Sequence, residues 1–222
     1  GVTPHEIFMA RTGMNPVSDL RTIFSLFRLM RDLQPDCFLG YTIKPVIYGA
    51  IAARMTGVKR RFALITGLGH AFAESNNAGL LQRVVETLYR IALRATELII
   101  FQNPDDRALF FDRGLIGPAH RSVVVNGSGI DIGSFLDSPP STSPVRFLLI
   151  ARLIAGKGVR VFAEAAERVK RLAPETKFTL VGWIDDNPGA IAKAGLDRWV
   201  HAGTVGFLGK LEDVRPAIRD AG

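Results

Sequence analysis

"LLIARLIAGKGVR", residues 148 to 160, decides how the rest of the chain is read. An apolar run stops at Arg152, and a short connection then carries Gly156, Lys157 and Gly158 into "VRVFAEAAERVKRL", whose apolar residues recur with a helical period. The passage is a strand leading into a helix, with two cations on the join. It is either a cradle for phosphate or merely the joint between two elements.

Working outward, the same alternation repeats in both directions. Upstream, Ser18 and Asp19 are expected to cap a helix with Leu20, Ile23, Phe24, Phe27, Leu29 and Met30 on its apolar side, ended by Pro35. "CFLGYT" is then a short buried strand and "KPVIYGAIAARMTGV" a helix with proline in its first turn and Gly57 at its end. "RRFALIT", "ELIIFQN" and "RSVVVNG" are further strands. The segments from Gly79 to about Thr96 and "NPDDRALFFDRG" are the helices among them. Downstream come strands "KFTLVGW" and "TVGFLG" and helices at about 190 to 197 and from Glu212. Continuous apolar strands alternating with helices predict parallel sheets covered on both faces, a doubly wound α/β architecture.

"GSFLDSPPSTSP" interrupts that periodicity with serine and proline, the composition of an exposed linker. The expected organisation is two tandem Rossmann-like units, residues 1–137 and 145–222, joined by a linker at 138–144. Both are expected to be incomplete. The chain opens without methionine and stops on the helix-like "RPAIRDAG", so it is read as a piece truncated at both ends.

Composition narrows the function classes. The 222 residues are 47% hydrophobic, which excludes disorder, and no run reaches the roughly 18 apolar residues of a membrane span. The net charge of +7 is spread along the chain, +3 before Pro144 and +4 from it onward, and favours an anionic partner. The single cysteine, Cys37, lies in an apolar run and is expected to be an inert core residue in a reducing compartment. Basic residues are dispersed and the phenylalanines sit inside apolar runs, a pattern that argues against nucleic acid.

Neither glycine-containing loop carries a complete phosphate motif. Around Gly156 and Lys157 a P-loop would need glycine at 151 and serine or threonine at 158, where the chain has Ala151 and Gly158. "GLGHAF" opens like a dinucleotide fingerprint at Gly67 and Gly69 but has Phe72 in place of the third glycine, which speaks against a nicotinamide-dependent epimerase. Arg152 and Lys157 at a strand end beside a helix N-terminus still suit a diphosphate. On the residues alone, a paired arginine and a solvated lysine explain them equally well. Asp185, Asp186 and Glu212 have no metal-ligand spacing and read as solvated surface. The helix from Gly79 sets Leu81, Val84, Val85, Leu88, Ile91 and Ala92 beside Arg83, Arg90 and Arg94, which fits either a core-packed helix or one lying on an anionic membrane.

"LLIARLIAGKGVRVFAEAAERV" resembles the arginine-to-lysine-glycine segment of family 4 glycosyltransferases, retaining enzymes of the GT-B fold. "VVVNGSGIDIGSF", "FTLVGW" and "VGFLGKLEDV" agree with that family in the same order. "GYTIKPVIYGAIAARMTGVKRRFALITGLGHAF" resembles the branch that extends lipid-linked sugars for surface polysaccharides. The resemblance implies that Arg152 and Lys157 bind the diphosphate of a nucleotide-sugar donor, with no metal or other cofactor required. It implies that Gly67, Gly69 and His70 face the donor sugar, and that Gly182, Val205 and Phe207 lie where the nucleotide base is held. It also implies a lipid-linked saccharide acceptor and peripheral contact with an anionic membrane at the cytoplasmic face. Family members carry a pair of glutamates seven residues apart beyond a helix like that at 212–222, so a chain ending at Gly222 is expected to be nearly inactive alone. A non-catalytic module that binds sugar nucleotides is the alternative from another class.

Overall fold

The computed structural model of the chain describes residues 2–9, 15–67, 78–135, 137, 139–140, 142–184 and 189–221. It divides into two compact units, Gly1–Ile130 and Asp131–Gly222. The serine and proline stretch at 138–144 falls in the second unit.

The first unit opens with α1 (Pro16–Leu33). Its cap is Asn15, whose side chain accepts the N–H groups of Val17 and Ser18, and Pro16 occupies the first turn, where a missing N–H costs nothing. The helix therefore starts before Ser18 and Asp19, the caps expected from sequence. Its faces are also turned from the expectation: Leu26 and Met30 go inward together with Asp19 and Thr22, while Leu20 and Phe24 are 68% and 60% exposed. Asp19 and Thr22 are satisfied, whereas the buried Ser18 Oγ has no hydrogen-bond partner among the described residues. Lys44 Nζ lies 3.1 Å from Asp19 Oδ1, and the Thr22 hydroxyl donates to the carbonyls of Ser18 and Phe8.

Strands β1 (Cys37–Tyr41), β2 (Arg60–Ile65), β3 (Leu98–Phe101) and β4 (Ser122–Val124) pair in parallel and in chain order. The inner strands bury Ala63, Ile65, Ile99 and Phe101, as their continuous apolar runs require. Cys37 is exposed, not the core residue expected, because it opens the edge strand β1. After β1 the chain forms a π-helical segment, Pro45–Gly49, which runs on into α2 (Ala50–Met55). The wide turn presses against the sheet at Gly40, where an added Cβ would meet Val46 Cα at 2.8 Å. A plain α-helix was expected here.

Two more helices complete the unit, α3 (Ala78–Leu93) and α4 (Pro104–Asp112). The latter is capped by Asn103, which accepts from the Asp106 N–H, and is left through Gly114 at φ +60°. Tyr89 of α3 and Phe101 of β3 both meet the Phe110 ring edge-on, at 5.1 and 5.2 Å, in the centre of the core. α3 buries Val85, Tyr89, Ala92 and Leu93 but leaves Val84 and Ile91 exposed, so only part of its expected apolar side faces inward. Arg90 is held by the carbonyls of Gly114 and Arg113 and by Glu86.

The second unit contains β5 (Arg146–Ile150), β6 (Lys177–Val181) and β7 (Gly206–Phe207), again parallel and in chain order. Its helices are α5 (Val159–Leu172), α6 (Lys193–His201) and α7 (Arg215–Ala221). The expected helix at about 190 to 197 starts later, because Ala190 bridges Ile154 and the Ile191 N–H donates to the Leu153 carbonyl, which keeps that stretch extended. Likewise α7 begins at Arg215 rather than Glu212. Phe178 is stacked on Phe147 at 4.8 Å and met edge-on by Phe162 at 5.5 Å, in a core that also holds Leu153, Val159 and Leu180.

Candidate functional site

The carboxyl edge of the second sheet is built mainly by backbone hydrogen bonds. Beyond β5, the Ala151 N–H donates to the Val181 carbonyl at 3.0 Å and the Leu153 N–H to the Trp183 carbonyl at 2.8 Å. Arg152 stands between these two fixed points with its side chain exposed. The Ala155 N–H then donates to the Gly189 carbonyl, and a 3₁₀ turn, Ala155–Lys157, brings Lys157 to the head of α5. Gly158, at φ +73°, makes the left-handed step into the helix, which suits a residue without Cβ. Both cations thus sit on one strand-to-helix connection at the ligand-binding edge of an open parallel sheet, with the first-turn N–H groups of α5 following directly. This arrangement can take up negative charge on phosphate oxygens.

Gly182 closes the same edge. It has φ +148°, and its N–H donates to the Gly209 carbonyl at 2.8 Å, tying the ends of β6 and β7 together. The residues that follow these two glycines were missed in the sequence reading: Lys210 Nζ lies 5.2 Å from the centre of the Trp183 ring, which is 43% exposed. The available signal was a tryptophan placed just after a strand that ends in Val-Gly. Val205 lies elsewhere, at the amino end of β7, fully buried in the core beside Leu153 and Leu196. Phe207 is half-buried and packs against that core from within β7. Of the three substrate contacts expected in this unit, Gly182 is therefore the one that follows the carboxyl end of its strand as Arg152 does.

In the first unit Gly67 follows β2 with φ +139°, a backbone geometry that favours glycine. Gly69 and His70 lie outside the described residues, as do Asp185 and Asp186. At the end of β1, Thr42 adopts φ +71°, an outlier for a β-branched residue. Lys44 and Tyr48 follow it, and both belong to the surroundings of Asp19. Burial first, and then the Asp19 carboxylate, push the Tyr48 phenol well above the usual tyrosine range. The first-unit edge also carries Gln102, whose side chain donates to Ser128 Oγ at 2.9 Å.

Among the described residues no three His, Cys, Asp or Glu side chains gather into a metal-binding group, and no helix is long and apolar enough to cross a membrane.

Comparison with known proteins agrees with this architecture. Over 92% of its length the chain is 27% identical to the N,N'-diacetylbacillosaminyl-diphospho-undecaprenol alpha-1,3-N-acetylgalactosaminyltransferase of Campylobacter jejuni, covering 56% of that protein. Over 75% of its length it is 26% identical to the UDP-Gal:alpha-D-GlcNAc-diphosphoundecaprenol alpha-1,3-galactosyltransferase of Escherichia coli, covering 45% of it. The chain thus spans about half the length of the curated relatives it matches. Among solved structures, the sucrose-phosphate synthase of Thermosynechococcus elongatus superposes with a TM-score of 0.67 at 11% identity, over 92% of this chain and 53% of that one. Residues 1–103 match the glycosyl transferase 4-like family, and the parallel α/β architecture of the chain is of the GT-B type found in glycosyltransferases.

Proposed function

We propose that the protein is a retaining glycosyltransferase that moves a hexose or N-acetylhexosamine from a nucleoside-diphosphate donor to a lipid-linked saccharide during glycan synthesis. The observation that carries this reading is the presence of Arg152 and Lys157 on the carboxyl-edge connection of the second sheet, in a chain whose relatives are transferases of this kind. In the reaction the bond from the anomeric carbon to the diphosphate oxygen breaks and a bond to the acceptor oxygen forms on the same face. The acceptor proton passes to the departing phosphate. Negative charge grows on the leaving diphosphate, and fixed cations stabilise that charge more in the transition state than before it.

Arg152 and Lys157 supply these cations, so no metal or organic cofactor is required. Gly182 lines the donor side. The enzyme works at the cytoplasmic face of the membrane that carries its acceptor, by peripheral contact. The test is titration of the chain with UDP-sugars, together with transfer to a polyprenyl-diphosphate-linked saccharide by the full-length protein. Arg152→Ala and Lys157→Ala should each weaken donor binding at least tenfold and remove most turnover. Unchanged binding and turnover in both variants would sink the assignment. Donor binding without transfer or donor hydrolysis in the full-length protein would favour a binding module instead.

A further inference from the structure

The outward face of α1 is built unlike an ordinary solvated helix. Val17, Leu20 and Phe24 follow one another along it at helical spacing, 79%, 68% and 60% exposed, and Met55 at the end of α2 continues the patch. Together with Ile23 and Phe27 they line an open groove of about 570 Å³. Single exposed apolar residues need no explanation, but a contiguous apolar groove marks a surface made for contact.

The charges around the groove are mainly positive, four arginines against the exposed Asp32 near the end of α1. Arg21, Arg28 and Arg31 lie on the same outward stripe of α1, and Arg54 is exposed beside Met55. Arg21 also covers the Phe8 ring at 5.6 Å, and none of the four forms an ion pair among the described residues. The helix's first-turn acid, Asp19, points inward to Lys44 and so contributes no opposing charge to this face. Apolar side chains ringed by unpaired arginines complement the boundary layer of an anionic bilayer, where acyl chains meet negative headgroups. The exposed stripe of α3 is a weaker version, with Leu80, Val84 and Ile91 beside Arg83 and Arg94.

We infer that the chain docks on anionic membrane through the α1–α2 face, with Val17, Leu20, Phe24 and Met55 entering the acyl boundary and the four arginines seated on headgroups. This deepens the proposed peripheral contact and rests on that reading. It is tested with vesicles that carry no saccharide acceptor, so its failure leaves the transfer reaction standing. Sedimentation of the chain with phosphatidylglycerol vesicles at low salt should show binding that is much weaker on phosphatidylcholine alone. Leu20→Ser with Phe24→Ser should reduce partition at least tenfold. Arg28→Ser with Arg31→Ser should reduce it roughly 25-fold, since each basic residue near an anionic surface contributes about fivefold.

All four positions are exposed, and unchanged circular dichroism of the variants guards against misfolding. Leu80→Ser with Ile91→Ser on α3 should leave partition within about twofold. The inference is overturned if the chain ignores phosphatidylglycerol vesicles, if it binds both lipids equally, or if the α3 variant alone abolishes binding. It is equally overturned if the chain sediments as a dimer that the Leu20→Ser, Phe24→Ser variant breaks, for then a second copy occupies the face.

Discussion

Gly182 sits against the Ala151 carbonyl so closely that a Cβ on Gly182 would lie 1.8 Å from that oxygen. The contact seals the ends of β5 and β6 at the point where Arg152 leaves the sheet. Gly182→Ala must both push the two strand ends apart and force an alanine to φ +148°. The expected cost is about 3 to 5 kcal/mol, from overpacking and backbone strain together. Urea denaturation should show it, whereas Gly156→Ala, with no neighbour within 4 Å and no left-handed φ, should cost less than about 1 kcal/mol.

Trp183 serves as a built-in reporter of the same edge. Its ring is partly exposed beneath Lys210, while the second tryptophan, Trp199, packs against the core. Donor binding at Arg152 and Lys157 should change the emission of Trp183, and Trp183→Phe should remove that response while Trp199→Phe keeps it. A response that survives Trp183→Phe puts the ligand elsewhere.

The Lys44–Asp19 pair is mostly buried, with side-chain exposures of 15% and 10%. Lys44→Ala leaves the carboxylate in the interior without its cation and should cost about 3 kcal/mol in thermal or urea unfolding. Replacing both residues together, Asp19→Leu with Lys44→Met, should cost clearly less than the single change. Equal losses would mean that the ion pair itself, rather than the orphaned charge, carries the energy.

Tyr48 and Tyr89 should give the protein a steep alkaline limit. Burial raises both phenols well above the usual tyrosine value of 10.0, assisted by Asp19 for Tyr48 and Asp106 for Tyr89. A folded-state value above the unfolded one means that the stabilisation is fully present below about pH 10 and is lost as pH rises beyond it. Stability measured from pH 8 to 11 should therefore fall sharply near the top of that range. Tyr89→Phe should flatten the fall, and phenolate absorbance from these two residues should appear together with unfolding.

The strands were legible as continuous apolar runs, even β5, which lies at the sheet edge with Phe147 and Ile150 44% and 40% exposed. "RRFALIT", "ELIIFQN" and "VRFLLIAR" leave little choice. The helix at Pro104 was equally plain, since Asn103 before it and Gly114 after it each have one obvious role. α1 was not, because apolar residues stand on both of its sides. Which side turns inward is decided by Lys44 and Phe8, partners 25 and 14 residues away that make buried places for Asp19 and Thr22. Cys37 was misjudged for a similar reason, as nothing in "CFLGYT" says that its strand lies at an edge. The places of Arg152, Lys157 and Gly182 at the carboxyl edge could be read from strand ends, but the burial of Val205 in the core could not. Trp183 and Lys210 meet only because the glycines before them are hydrogen-bonded.

The wide π-helical turn at Pro45–Gly49 has a consequence for how this region tolerates length changes. Such a turn holds one residue more than an α-helical turn, and five residues at the wider winding turn the chain by about as much as four α-helical ones, roughly 400°. The extra residue is therefore absorbed without changing the phase between Lys44 and α2. A one-residue deletion in "PVIYG" that returned the turn to ordinary helical spacing should be milder than a one-residue deletion inside α2, which would rotate the residues on its two sides by about 100° relative to each other.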